Sequence, residues 1–179
     1  MALVILFVIG TVGVGKTSVG AAASDILSER EIPHAFVDRD ALCASWPPVE
    51  RFNEATALRN LALVWTTYRE QGIDRLIVAG VLETREDVRR YEDALGEPIM
   101  ICRLVAPLPA RQAWLRARDE GASLDWHLAR TVELDAIVEA AALEDFVVHN
   151  DGRTRRDVAL DMLRTAGWVS GSRTDDATL

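Results

Sequence analysis

The chain has 179 residues, enough for one domain built around one core. Hydrophobic residues make up 49% and charged residues 27%, the balance of a globular protein rather than a disordered or fibrous one. A net charge of −8 argues against general affinity for nucleic-acid backbones, which needs a basic face, and no apolar run reaches the ~18 residues of a membrane span.

A first strand is predicted over about 3–9, from the run Leu3-Val4-Ile5-Leu6-Phe7-Val8-Ile9. The run has no basic segment before it and no cleavage site after it, so it reads as a strand and not a secretion signal. It leads directly into Gly10-Thr11-Val12-Gly13-Val14-Gly15-Lys16-Thr17, which fits G-x-x-x-x-G-K-[ST] without a gap. Strand, glycine loop and helix in that order make a phosphate cradle. The glycines let backbone N–H groups turn inward, and Lys16 adds a point charge toward the β- and γ-phosphates. Thr17 offers a hydroxyl to Mg²⁺, and Ser18 follows at the positive end of the helix.

That helix is expected over 16–30, with Val19, Ala22, Ala23, Ile26 and Leu27 toward the sheet. A short strand, Ala35-Phe36-Val37, ends at Asp38 and is followed by a loop with Trp46-Pro47-Pro48. A helix over about 50–71 carries Leu58, Leu61, Ala62 and Trp65 at helical spacing. Strand three is Leu76-Ile77-Val78-Ala79. Thr84 and Asp87 form a capping box for a helix to about residue 95, and Asp93-Ala94-Leu95-Gly96 is its C-cap rather than a GTPase signature. Strand four covers about 99–105, and Pro107 and Pro109 open a helix to about 120. Gly121-Ala122-Ser123 is expected to break the chain before a helix over 124–143. Strand five is Phe146-Val147-Val148-His149, and Thr154 with Asp157 caps a last helix to Ala166. The Ser-, Gly- and Thr-rich residues 169–179 read as a disordered tail, which leaves one domain over 1–168. Strictly alternating strands and helices predict an α/β fold, a parallel sheet with helices on both faces.

Asp38-Arg39-Asp40 lies just beyond strand two. Ligands of open parallel sheets bind outside the carboxyl ends of the strands, so both carboxylates reach the rim that carries the phosphate loop. Asp38 suits the water shell of Mg²⁺, which uses one or two carboxylates. Asp40 suits acceptance of a proton from an attacking hydroxyl. No N-K-x-D string is present to read guanine, which favours ATP as the nucleotide. Cys43 and Cys102 match no metal spacing and read as reduced thiols of a cytoplasmic protein.

The phosphate loop together with Asp38-x-Asp40 resembles the shikimate, gluconate and adenylylsulfate kinases and the chloramphenicol phosphotransferases. The resemblance implies a three-layer P-loop NTPase fold, a five-stranded parallel sheet of order 2-3-1-4-5, and a helical lid, here about 116–130. It implies transfer of the γ-phosphate of ATP to a hydroxyl of a small molecule, with Lys16, Asp40 and a lid arginine, Arg130, in catalysis. Arg118 would stack on adenine opposite Gly152 and Arg153, and Thr17 and Asp38 would serve the metal. On the acceptor side the expectation falls on Asp40, Arg51, Arg59, Gly80, Glu83 and Arg85. Two other readings remain open: a nucleoside or polynucleotide kinase, since Arg39-Asp40 also resembles the Arg-Asp of polynucleotide kinases, and a nucleotide-binding regulatory protein with little turnover. Neither a membrane nor a nucleic acid is expected as a partner, and the acceptor itself is not read.

Overall fold

Five short aliphatic runs become five strands because they can be covered on both faces. A computed structural model describes residues 5–170, apart from the side chain of Arg51. The strands are β1 (Ile5–Ile9), β2 (Ala35–Asp38), β3 (Leu76–Ala79), β4 (Ile99–Val105) and β5 (Phe146–His149). All are parallel, in the order β2-β3-β1-β4-β5. Every residue of β1 and of β3 is buried, as continuous apolar runs in a two-sided parallel sheet should be.

The helices are α1 (Lys16–Glu29), α2 (Glu54–Glu70), α3 (Arg85–Leu95), α4 (Leu108–Arg118), α5 (Gly121–Ala141) and α6 (Arg155–Thr165). One core lies between the sheet and α2, α3 and α5, where Phe7 and Tyr91 meet edge to face at 5.0 Å between ring centres. The other lies under α1 and α6. Residues 3 and 4 of the expected first strand and 171–179 of the expected tail lie outside the described residues. Trp168 and Val169 are buried in the second core, so the packed chain runs past residue 168.

Two expectations shift. The helix expected over 50–71 is split, because Phe52 and Asn53 take left-handed backbone (φ 62° and 46°) in a 3₁₀ turn, Arg51–Asn53, ahead of α2. The break expected at Gly121–Ser123 falls at Asp119 and Glu120, both extended, and α5 begins at Gly121 itself. Asp119 accepts hydrogen bonds from Arg118 and lies 2.8 Å from His127 of the next helix, which pins the chain at that point. The capping boxes form as expected: Asp87 N–H donates to Thr84 Oγ1 at 3.1 Å and Asp157 N–H to Thr154 Oγ1 at 3.1 Å. Gly96 ends α3 in left-handed backbone (φ 71°), the C-cap role given to it.

Candidate active site

The glycine loop joins β1 to α1 and is held from outside. A Cβ on Gly13 would come within 2.7 Å of Leu115, and one on Gly15 within 2.6 Å of Asn150 Nδ2. Both glycines also have positive φ, 80° and 96°, so the loop depends on them twice. Asn150 Nδ2 donates to Val14 O at 2.7 Å, and Thr131 Oγ1 to Val12 O at 2.8 Å. Arg111 is buried behind the loop, with Nη1 donating to Thr11 Oγ1 at 2.6 Å and Nη2 to Asp135 at 2.8 Å. Lys16 Nζ curls back onto the carbonyl oxygens of Gly10 and Thr11, 3.0 Å from each. No side chain caps α1 and its first turn holds no acidic residue, so its N–H groups remain available to an anion.

Strand β2 delivers the carboxylates to the same rim. Asp38 Oδ2 accepts from Thr17 Oγ1 at 2.7 Å, and its Oδ1 accepts from Asp40 N–H at 3.0 Å, capping a 3₁₀ turn, Arg39–Leu42. That turn sends Asp40 outward and Arg39 inward. Arg39 is buried and donates to Tyr91 Oη at 3.1 Å, to Asp40 Oδ1 at 3.0 Å and to Glu54. Burial works against its charge, but Tyr91, Glu54 and Asp40 outweigh burial and raise its pKa above the usual arginine value. Gly80 makes room for this arrangement, since a Cβ there would approach the Phe7 ring at 3.1 Å and Arg39 Cβ at 3.3 Å. Asp40, mostly exposed, is thus aimed by a buried guanidinium.

One cleft of about 1030 Å³ connects these groups. Gly13, Gly15, Lys16, Thr17 and Ser18 line its floor, and Arg118, Asn150 and Arg153 border the nucleotide end. Arg118 is exposed and donates twice to Asp119, at 2.8 Å each. Arg153 is tied to Asp161 at 3.0 Å, while Gly152, exposed at φ 64°, does not line the cleft. At the other end stand Asp40, Glu54, Glu83, Phe52, Trp126 and Arg130. Arg130 is buried, paired with Glu83 and, at 2.9 Å, with Glu133, and its guanidinium lies 5.3 Å from the Phe52 ring centre.

Gly10, Thr11 and Val14 form the buried inner layer of the loop, and Val12 lines the cleft. Arg59 and Arg85 are exposed and do not line it. Helix α2 buries Ala57, Leu61 and Trp65, four residues apart, and Arg59 lies two positions from the first two, on the opposite side. Arg85 is the first residue of α3, where Glu83, Thr84 and Asp87 take the cleft-facing places. The expectation for Arg51 rests on a side chain outside the described residues. Sequence reasoning missed Asn150, Thr131, Arg111 as a support of the loop, and the buried role of Arg39.

Desolvation lowers the pKa of Lys16 from 10.5 to about 8, against the pull of Asp40 and Asp38 and with a push from Arg118. A polyphosphate binds the charged amine, so binding returns the proton to Lys16. Nucleotide affinity is therefore expected to fall as pH rises through 8 and to be flat below it. Titration calorimetry at pH 8.5 in buffers of different ionisation enthalpy should show proton uptake on binding; release, or none, would contradict a desolvated Lys16 amine.

No family model matches the chain, and no curated protein matches it. Solved structures do. A gluconokinase from Sinorhizobium meliloti 1021 superposes with a TM-score of 0.65 at 15% identity, covering 93% of each chain. The tunicamycin resistance protein of Deinococcus radiodurans gives 0.66 at 17% identity, over 92% of this chain and 96% of its own. A shikimate kinase from Acinetobacter baumannii gives 0.60 at 16% identity, over 91% and 92%. The fold is the one these proteins carry, as the glycine loop and the sheet order imply.

Proposed function

We propose that the chain is an ATP-dependent phosphotransferase that moves the γ-phosphate of ATP to a hydroxyl of a small molecule. The observation that carries this is one cleft with a phosphate loop at one end and an oriented, exposed carboxylate, Asp40, at the other. Pockets for one drug-sized ligand span roughly 300–1,000 Å³. A volume of about 1030 Å³ lies at the top of that range. The neighbours named as gluconokinase and shikimate kinase support transfer to a small molecule rather than to a polymer, as does the net charge of −8.

The residues fit ATP with Mg²⁺. Glycine backbone at Gly13 and Gly15 leaves the loop open to phosphate, and the Thr17 hydroxyl beside the Asp38 carboxylate is a hard oxygen set. Among the described residues no cluster of His, Cys, Asp or Glu could hold a metal unaided. Mg²⁺ would therefore arrive with the phosphates, its common mode, and neutralise their charge. Lys16 and the first N–H groups of α1 hold the phosphates. Asp40 orients the acceptor hydroxyl and takes its proton as the new O–P bond forms and the bond from the γ-phosphorus to the ADP oxygen breaks.

Residues 116–130, bent at Asp119–Glu120, are the proposed lid; Arg118 borders the nucleotide end of the cleft, and Arg130, buried beside Glu83 and Glu133, its acceptor end. Among the described residues no helix is long and apolar enough to cross a membrane, and both cysteines are free and buried, which supports a cytoplasmic setting. The test is ADP release with ATP–Mg²⁺ and a panel of alcohols. Acceptor-stimulated release is expected; tight ATP binding with no stimulation by any alcohol would favour a binding protein instead.

A further inference from the structure

We infer that the acceptor is a hydroxyl compound without an acidic group, uncharged or amine-bearing, that lays an apolar or aromatic face against Phe52 and Trp126. The inference rests on the phosphotransferase reading.

Charge at the acceptor end comes first. Among the described side chains, the cleft there is lined by two guanidiniums, Arg39 and Arg130, and four carboxylates, Asp40, Glu54, Glu83 and Asp87. Both guanidiniums already face carboxylates. Arg39 spends its donors on Tyr91, Asp40, Glu54 and the Phe52 carbonyl oxygen. Arg130 donates to Glu83 through Nη2, while its Nη1 stands 2.9 Å from Glu133 without hydrogen-bond geometry. Asp87 accepts the N–H groups of Glu83 and Thr84 at 3.1 and 2.9 Å, which fixes its carboxylate in the wall. A carboxylate or phosphate on the acceptor would have to take a buried cation from a carboxylate that already pairs with it, and would face the like charge of Asp40, Glu54, Glu83 and Asp87 at close range. An alcohol or an ammonium asks for no such exchange.

The apolar wall comes second and is independent of the charges. Phe52 and Trp126 are 41% and 48% exposed, and their rings stand 6.3 Å apart at the cleft. Phe52 sits in left-handed backbone (φ 62°), rare for an aromatic residue. The turn is held by its neighbour: buried Asn53 donates to Cys43 O at 2.9 Å and to Ser45 Oγ at 3.1 Å. A strained backbone that places an exposed ring in a cleft fits a ligand contact better than a folding role. Aromatic faces accept apolar surface and, over the ring, cations; Arg130 already uses Phe52 this way.

The experiment uses three probes with one phenyl skeleton: mandelate, 1-phenylethane-1,2-diol and 2-amino-1-phenylethanol. Gluconate, shikimate and other alcohols of each charge class accompany them. ADP release is measured at saturating ATP–Mg²⁺, with ATP affinity measured in parallel. The diol or the amino alcohol is expected to outperform mandelate by roughly tenfold or more in kcat/KM, the scale of discrimination by mispaired polar groups. If mandelate, gluconate or shikimate is the better acceptor, the inference fails and the transfer reading stands. If ATP binds and no alcohol of any class stimulates release, the transfer reading fails and takes the inference with it. In Glu83→Gln, Arg130 loses one acid, and the ratio of mandelate to diol turnover should rise. An unchanged ratio within that variant would show that the Glu83 pair does not set the charge preference.

Discussion

Lys16→Ala is expected to strip the protein of most of its ATP–Mg²⁺ affinity while leaving it folded. In the free protein the ammonium holds only the carbonyl oxygens of Gly10 and Thr11. Its burial is unfavourable enough to pull its pKa down to about 8, so removing it relieves a desolvated charge rather than a packed core. The loop keeps its outer clasps to Leu115, Thr131, Arg111 and Asn150. What disappears is a charge-assisted contact to phosphate, worth roughly 1.5–3 kcal/mol, or about ten- to 150-fold in affinity. Turnover should fall further, by ~10²–10³-fold, because negative charge shifts during transfer onto oxygens this amine faces. Calorimetry with ATP–Mg²⁺ and a thermal melt on both forms decide it. Unchanged affinity with an unchanged melt would remove the phosphate-loop assignment.

The parts of this site that were legible in the sequence are those encoded by residue type at fixed spacing. A loop that must turn three times with positive φ has glycine at each turn, Gly10, Gly13 and Gly15, so the string itself carries the geometry. Asp38 and Asp40 could be placed because a parallel strand that ends there must end at the ligand rim, and the two residues flank one that points inward. Capping boxes are local, and both formed where their spacing put them.

What was not legible depends on long-range packing. Arg111 and Arg118 fall on the same helix seven residues apart, yet one is buried against Thr11 and the other is exposed beside Asp119. Helical phase alone cannot tell them apart; the approach of α5, which brings Thr131 and Asp135 to Arg111, does. Asn150 reads as a turn residue until the glycine loop, far away in sequence, is folded against it. Arg59 and Arg85 were attractive as free cations near an acceptor, but exposure on the outer turns of α2 and α3 is what solvent rewards for an unpaired arginine. Arg39 was the middle letter of a two-aspartate motif, and its burial against Tyr91 becomes visible only once α3 packs on the sheet.

That burial gives the two aspartates different roles and so different failures. Asp38 accepts from the Thr17 hydroxyl with one carboxylate oxygen and, with the other, from Asp40 N–H, capping the turn below Asp40. Asp38→Asn should therefore raise the Mg²⁺ concentration needed for half-maximal turnover, since a carboxylate becomes an amide beside the Thr17 hydroxyl. Asp40 is 74% exposed at its side chain and anchored through one oxygen to Arg39 Nη1 at 3.0 Å, with the second oxygen left for the acceptor. Asp40→Asn should leave ATP–Mg²⁺ affinity nearly intact and cut kcat by ~10²–10⁴-fold, the usual worth of a positioned general base. A loose, dissociative transition state asks little of a base, so the lower part of that range is expected, with some of the loss due to misplacement of the acceptor. The two contributions separate in the kinetics: loss of the base lowers kcat, whereas loss of positioning raises KM for the acceptor. Full activity in Asp40→Asn would show that the Arg39–Asp40 pair serves only the turn, and phosphoryl transfer at this rim would then have to proceed without a protein base.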